Sequence, residues 1–309
     1  MPRAYGILRQ HEQPKVAHGG ILVMEQPLQK AFAGSGVASI LHHARRHRCM
    51  PGDSTFETRR QASEGSAAGE AVDYPRGDAG VGFQAALDVL GGEGCADQPE
   101  SWTPAGYTVI REQQIGLLSE WATEKGLWIS ADALGARNSG RMEHAVFRGA
   151  VSEKRAFKAT KGAKFGFWPF IDSEVVSTRL DEYLVMRPAT PAQYLARLLL
   201  LDTLYLDINR LKGFALLDGH FSIITSQPWF AARNATWKEI SHWLGGLGFK
   251  PVRDDIYADA TRWYHAEQNL ALFDVGESNV LCSEGQLVPI DIIPMRPQGL
   301  LRETLERFG

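Results

Sequence analysis

The stretch from residue 270 to residue 293, LALFDVGESNVLCSEGQLVPIDII, constrains the fold of this chain more than any other. Two short apolar runs flank a turn that contains Gly285, and this pattern predicts a hairpin of two strands. Asp274 and Asn279 come before the first strand, and Asp291 follows the second. Because a hairpin ties its two halves together, we expect these three polar side chains to serve one site.

Asp and Asn in this order suit phosphoryl transfer. Mg²⁺ is a hard ion that prefers carboxylate and carbonyl oxygens and shares its coordination shell with phosphates. We therefore predict Asn279 and Asp291 as metal ligands, and Asp274 as the carboxylate that accepts the proton of a substrate hydroxyl. The alternative is a surface hairpin in which Asp and Asn side chains only stabilise turns.

This segment resembles the catalytic and metal-binding segments of the protein-kinase-like superfamily, in the style of aminoglycoside and choline kinases. A closer resemblance, over residues 107–297, is to the kinase domain of bacterial and phage polyvalent proteins, which are large multi-domain polypeptides linked to mobile elements. It rests on the segments MEHAVF (142–147), RAFKATKGAKFG (155–166), ATPAQYLARL (189–198), SIITSQPWF (222–230) and 270–293. The resemblance implies an α+β fold, a truncated bilobal kinase-like fold with an antiparallel-sheet small lobe and a minimal large lobe.

The resemblance also implies ATP and Mg²⁺ as cofactors and assigns residues to the nucleotide. Lys158 lies in a short alternating run that fits a strand, and by resemblance it holds the α- and β-phosphates and is catalytic together with Asp274; the alternative is a surface lysine in a basic loop. Gly140 would belong to a loop that covers the phosphates, although Gly, Ser and Asn suit any hairpin loop. Gln227 lies near the end of a predicted strand, 222–228, which by resemblance is the hinge that meets the adenine edge.

The sequence departs from the superfamily pattern in the helix that should pair with the nucleotide lysine. A helix is predicted to open at Thr190, with Pro191 in its first turn. It carries Gln193 and no glutamate, which leaves Glu174 and Glu182 as the nearest acids. The lysine–glutamate pair of the superfamily is therefore not identifiable from the sequence.

Further departures surround the predicted catalytic aspartate. Leu272 and Phe273 precede Asp274 where protein kinases carry His-Arg, and Gly276 stands where they use a lysine near the transferred phosphate. The chain ends at Gly309, which leaves no room for the helices of a peptide-docking platform. We expect either a small substrate or a docking surface supplied from elsewhere.

Two classes of function therefore stay open. The first is an ATP- and Mg²⁺-dependent phosphotransferase that acts on a hydroxyl of a protein or of a small molecule. The second is a catalytically silent, kinase-like binding or interaction module of mobile-element origin, which the missing glutamate and lysine favour. Metal dependence of nucleotide binding distinguishes the two.

Composition describes a globular chain. The net charge of −3 and the 44% share of hydrophobic residues provide no bulk electrostatic case for binding nucleic acid or an anionic membrane. No apolar run approaches the length of a membrane span, and the start lacks the pattern of a signal peptide. Three scattered cysteines, Cys49, Cys95 and Cys282, favour reduced thiols and a cytoplasmic location.

Composition also divides the chain. We predict a low-complexity, partly helical N-terminal extension over 1–104, a small lobe over 105–226 and a large-lobe fragment over 227–309. The extension contains a helix candidate at 26–47 and a Gly/Ser/Ala/Glu-rich stretch at 51–81.

A basic segment at 42–48 contains three arginines and three histidines. A solvated helix end is the expected interpretation, because no second pair of metal ligands follows at a zinc-like spacing. A nucleic-acid or protein contact remains the alternative.

Overall fold

The computed structural model describes residues 79–92 and 103–308 except for 136, 141–142, 149–154, 173–183, 206–208, 231, 253–260 and 284. The helix predicted at 26–47, the basic segment at 42–48 and residues 51–78 lie outside this part of the chain. Over the described residues the fold is mixed α+β, with five helices and several antiparallel sheets, which confirms the predicted class. The bilobal arrangement stays a prediction.

The helices are α1 (Ala79–Val89), α2 (Pro104–Lys125), α3 (Pro191–Tyr205), α4 (Trp237–Gly246) and α5 (Gly299–Phe308), with a short 3₁₀ helix at Ala131–Leu134. The strands are β1 (Arg137–Gly140), β2 (His144–Arg148), β3 (Arg155–Thr160), β4 (Phe167–Ile171), β5 (Leu184–Pro188), β6 (Arg210–Leu217), β7 (His220–Pro228), β8 (Arg233–Asn234), β9 (Lys250–Pro251), β10 (Trp263–His265), β11 (Leu270–Phe273), β12 (Val280–Ser283), β13 (Gln286–Pro289) and β14 (Ile293–Met295).

The main sheet has the order β1-β2-β3-β7-β6, and each neighbouring pair is antiparallel. Lys158 on β3 lies opposite Val146 on β2 and Thr225 on β7, whereas Gln227 lies opposite Ala156. Because side chains alternate along a strand, these five residues share one face of the sheet. The opposite face is covered by a small apolar cluster that includes Leu134, Ala145, Phe147, Ala159 and Ile224.

Helix α2 begins and ends where local rules place its caps. The Thr103 hydroxyl accepts a hydrogen bond from the Gly106 amide at 3.0 Å, and Pro104 occupies the first turn. Gly126 ends the helix with φ 64°, in the left-handed region that favours glycine. Helix α2 therefore runs from Pro104 to Lys125 between these two caps.

The hairpin predicted from the 270–293 stretch is present. Strands β12 and β13 pair in antiparallel register, with Val280 opposite Pro289 and Ser283 opposite Gln286. Beyond Asp291 the chain returns as β14, which pairs with β11, the strand that precedes Asp274. The two aspartates therefore lie next to two strands that are hydrogen-bonded to each other.

The main apolar core draws on most of the described chain. It joins buried residues of α1, α3, the main sheet, β11, β14 and α5, among them Phe83, Leu87, Tyr194, Leu195, Phe214, Phe273, Met295 and Leu305. Helix α1 lies within the predicted N-terminal extension, so the extension contributes side chains to this core. The cluster also includes residues on both sides of the predicted boundary at 226, and that boundary stays a prediction.

Two findings bear on the expected setting of the protein. Cys282 is disulfide-bonded, so the expectation of reduced thiols is wrong for this residue, and cysteine usage no longer supports a cytoplasmic location. Within the described ranges, no helix combines the length and the apolar character needed to cross a bilayer.

Candidate active site

A chain of contacts connects the four residues that the sequence assigned to catalysis and metal binding. Lys158 Nζ donates a hydrogen bond to the Ile290 carbonyl at 2.9 Å and lies 3.7 Å from Asp291 Oδ1. The Ile290 amide donates to the Asn279 carbonyl at 2.9 Å. Asn279 Nδ2 in turn donates to the carbonyl of Asp274 at 2.8 Å. The structure thus brings these residues together from distant parts of the sequence.

Asn279 holds the loop that carries Asp274. Its backbone amide donates to the Gly276 carbonyl at 2.9 Å, and its side-chain oxygen accepts from the Ser278 hydroxyl at 3.2 Å. Asn279 is buried, whereas Asp274 is exposed and has φ 54°. A positive φ is uncommon outside glycine, and Asp is among the residues that tolerate it. The buried Asn279 therefore stabilises the backbone of the loop that carries the exposed Asp274.

Lys158 finds its acidic partner on the hairpin and not on helix α3. Its side chain is 14% exposed and that of Asp291 is 35% exposed, so both remain within reach of a ligand at the edge of the site. A lysine ammonium is a compact point charge with three donors, of which the Ile290 carbonyl takes one. The remaining donors can serve phosphate oxygens.

Gln193, which stands where the superfamily glutamate was expected, belongs to the helix cap. Its side-chain oxygen accepts from the Thr190 amide at 2.9 Å, and its own amide donates to the Thr190 hydroxyl at 3.3 Å. This reciprocal arrangement satisfies two backbone donors at the start of α3. Glu174 and Glu182, the other acids considered, lie outside the described residues.

A cluster of polar side chains lies beside Lys158 and Asp291. Arg197 on α3 is 3% exposed, forms an ion pair with Glu143 and lies over the Tyr194 ring at 4.9 Å. His144 Nε2 and the Tyr194 hydroxyl are 3.0 Å apart. Ligand atoms of Glu143, His144 and Asp291 all lie within 4.8 Å of one another.

Burial controls the charges in this cluster. Burial lowers the pKa of His144 to about 4, against the opposing effect of the Glu143 carboxylate, so the imidazole is neutral at neutral pH. Burial also raises the pKa of Tyr194, which keeps its phenol protonated. For Arg197, burial lowers the pKa, but the carboxylates, Glu143 above all and also Asp291, raise it above its ordinary value.

The donor set fits a hard divalent cation. Asp291 supplies a partly exposed carboxylate, and Asn279 supplies an amide oxygen directly before β12, the strand that pairs with β13 ahead of Asp291. The Glu143–His144–Asp291 group has suitable spacing, yet Arg197 already neutralises Glu143 and His144 is hydrogen-bonded to Tyr194. Carboxylate and amide oxygens suit Mg²⁺ better than imidazole does.

The other two residues assigned to the nucleotide lie on separate strands of the main sheet. Gly140 ends β1 opposite Ala145, in a hairpin that continues into β2 and Glu143. Gln227 is 7% exposed, and its side-chain oxygen has no hydrogen-bond partner among the described residues. The predicted strand ending at Pro228 is confirmed as β7.

The backbone at the end of β7, where the hinge is predicted, is already partly hydrogen-bonded. The Ser226 carbonyl accepts a hydrogen bond from Arg155 at 3.1 Å, and Ser226 also pairs with Arg210 on β6. Pro228 has no backbone N–H to donate. The buried amide oxygen of Gln227 is a side-chain acceptor at the end of β7 that has no hydrogen-bond partner among the described residues.

Sequence reasoning missed Arg197 and could assign no role to Glu143. One signal was present: Arg197 is the only charged residue in the run AQYLARLLLL, and it follows Tyr194 at the i+3 spacing that places both on one helix face. A single charge within an apolar run of a helix indicates a buried partner.

Comparison with family models provides a match over residues 111–295, to the family described as Serine/Threonine/Tyrosine Kinase found in polyvalent proteins. Comparisons with curated proteins and with solved structures gave no match. The matched range lies within the 107–297 over which the sequence resembles that kinase domain, and the resemblance is confirmed. The chain belongs to the serine/threonine/tyrosine kinase family of polyvalent proteins.

Proposed function

We propose that this chain transfers the terminal phosphoryl group of ATP to a substrate hydroxyl, with Mg²⁺ as the cofactor. Membership of a kinase family supports phosphotransfer in general. The observation that carries the specific proposal is the run of contacts from Lys158 through Ile290 and Asn279 to Asp274. Together with the ion pair of Lys158 and Asp291, it brings an ammonium group, an amide side chain and two acidic residues to one hairpin.

The reaction assigns one task to each of these side chains. The hydroxyl oxygen forms a bond to the γ-phosphorus, the bond from that phosphorus to the β,γ-bridging oxygen breaks, and ADP leaves with the electron pair. Asp274 accepts the hydroxyl proton. Lys158 donates hydrogen bonds to the α- and β-phosphates and neutralises part of their charge.

Asn279 and Asp291 would hold the metal through one amide oxygen and one carboxylate. When bound there, Mg²⁺ would neutralise charge on the phosphate oxygens. Asn279 also keeps the Asp274 loop in place through its hydrogen bond to the Asp274 carbonyl. Gln227 would accept a hydrogen bond from the exocyclic amine of adenine, and the hairpin containing Gly140 would cover the phosphates.

The family description supports a protein serine, threonine or tyrosine hydroxyl as the acceptor. Asp274 is exposed, so an acceptor held outside the fold could approach it. A small-molecule hydroxyl would meet the same carboxylate, and a survey of acceptors with labelled ATP would separate the two.

Calorimetric titration of ATP, with and without Mg²⁺, tests the proposal. We expect the wild-type protein to bind ATP only weakly without the metal, and Asp291→Asn to lose the metal-dependent affinity while it keeps the fold. In a turnover assay, Asp274→Ala should retain binding and lose at least about a hundredfold in rate, the typical contribution of a general base. Metal-independent binding, or equal turnover by an Asp274→Ala/Asp291→Ala variant, would refute the enzyme and leave the silent kinase-like module.

A further inference from the structure

The polar cluster beside the site contains two carboxylates that lie close together. Ligand atoms of Glu143 and Asp291 lie within 4.8 Å of each other. Lys158 contacts Asp291 at 3.7 Å. Two like charges this close disfavour each other strongly unless a cation neutralises one of them.

Arg197 supplies that cation. Its guanidinium forms an ion pair with Glu143, and a charge buried this deeply requires a partner. The second terminal nitrogen of Arg197, Nη1, is buried without a hydrogen-bond partner in the described part of the chain. Glu143 is therefore the carboxylate with which Arg197 forms its ion pair.

Helix α3 and the loop between β3 and β4 both hold this pair in place. Arg197 stacks over the Tyr194 ring, and the Tyr194 hydroxyl contacts His144, the neighbour of Glu143. Gly166 has φ 78°, and a Cβ built on it would overlap the Glu143 carboxylate. The position of Glu143 therefore depends on a glycine at 166 as well as on the arginine.

We propose that Arg197 is a positioning residue which, by neutralising Glu143, keeps Lys158 paired with Asp291 and available to the nucleotide. In the protein-kinase pattern a helix glutamate pairs with the nucleotide lysine. In this chain the helix supplies the cation of an ion pair, Arg197, and the connection between β1 and β2 supplies the acid, Glu143. The nucleotide part of this inference rests on the proposed function, whereas its electrostatic part does not.

Charge-removal variants test the nucleotide part by calorimetry. Arg197→Met should lower the affinity for ATP with Mg²⁺ by about tenfold to a hundredfold, the loss expected for a charge-assisted hydrogen bond. The ratio of affinities with and without the metal should fall as well, which a merely structural role would not produce. Adding Glu143→Gln to Arg197→Met should restore most of the affinity, because the uncompensated carboxylate is gone. A double variant as weak as Arg197→Met would overturn the proposal.

Two glycine variants provide a matched pair. Gly166→Ala should reproduce the loss of metal-dependent affinity, because it displaces the Glu143 carboxylate. Gly162→Ala, in the same loop, also introduces a side chain at a positive φ, 57°, but meets no atom within 4 Å and should leave the affinity unchanged. Equal effects of the two substitutions would contradict the assigned role of Glu143.

Thermal unfolding without nucleotide separates this inference from the proposed function. Asp291→Asn should raise the melting temperature of Arg197→Met, because it removes one of two close carboxylates, and should not raise that of the wild-type protein. Additive effects of the two substitutions would overturn the inference. If the wild-type protein binds no ATP, but Asp291→Asn still raises the melting temperature of Arg197→Met alone, the electrostatic role of Arg197 is supported and the proposed function is refuted.

Discussion

Gln227 carries a buried amide oxygen that has no hydrogen-bond partner among the described residues. Leaving a buried polar atom unsatisfied costs about 1–3 kcal/mol, so Gln227→Leu should make the free protein at least as stable as the wild type. The same change should weaken ATP binding by about twofold to tenfold, because a neutral hydrogen bond to the base is lost. Chemical denaturation and calorimetry on the same samples measure both effects.

Gln114 offers the matched control for that substitution. It is buried like Gln227, but its side-chain oxygen accepts a hydrogen bond from the Ala192 amide at 3.1 Å. Gln114→Leu should therefore lower stability and leave nucleotide affinity unchanged. A Gln227→Leu protein that is less stable and binds ATP normally would show that this amide has no role toward the base.

Among the helices, α4 has an N-terminal cap that depends on the carboxylate of Glu239. Glu239 and Thr236 form a reciprocal capping box, and Arg233 adds two hydrogen bonds to Glu239 at 2.6 and 2.8 Å. The Arg233 hydrogen bonds, followed by those from Thr236, lower the pKa of Glu239 to about 2. A pKa below the ordinary value means that the ionised carboxylate stabilises the folded state.

The sign of the pH dependence follows from that shift. Above pH 4.5, the ordinary value for Glu239, the stabilisation is complete, and it is lost as the pH falls toward about 2. Glu239→Gln should cost about 1 kcal/mol at pH 7 and little near pH 2, as measured by urea denaturation at both values. Glu306→Gln, in an exposed pair with Arg302 on α5, is the control and should show little change. A difference for Glu239→Gln that is constant with pH would contradict the assignment.

For the molecule as a whole, α1 carries the main core into the predicted N-terminal extension. Phe83 on this helix is fully buried in the main core. Phe83→Ala should destabilise the protein by about 3–5 kcal/mol, because it removes a large buried side chain and leaves a cavity. Gln84→Ala, a partly exposed neighbour on the same helix, should change stability by less than about 0.5 kcal/mol. If both substitutions changed the free energy of unfolding by the same small amount, measured by chemical denaturation, α1 would not be part of the cooperative unit.

The sequence by itself determined the features that obey local rules. The β12–β13 hairpin follows from alternation and a glycine turn, and the caps of α2 and α4 follow from side chains within a few residues of each helix end. The spacing of Asp274, Asn279 and Asp291 around the hairpin was likewise readable, because a hairpin joins residues that are near in the chain.

Only the tertiary structure decided which distant groups meet. The hydrogen bond from Lys158 to Ile290 joins residues 132 apart in the chain, and the pair of Arg197 and Glu143 joins residues 54 apart. The packing of Phe83 into the main core is equally invisible in local pattern. Periodicity and capping report on neighbours along the chain, whereas the partner of a buried charge is set by how sheets and helices pack.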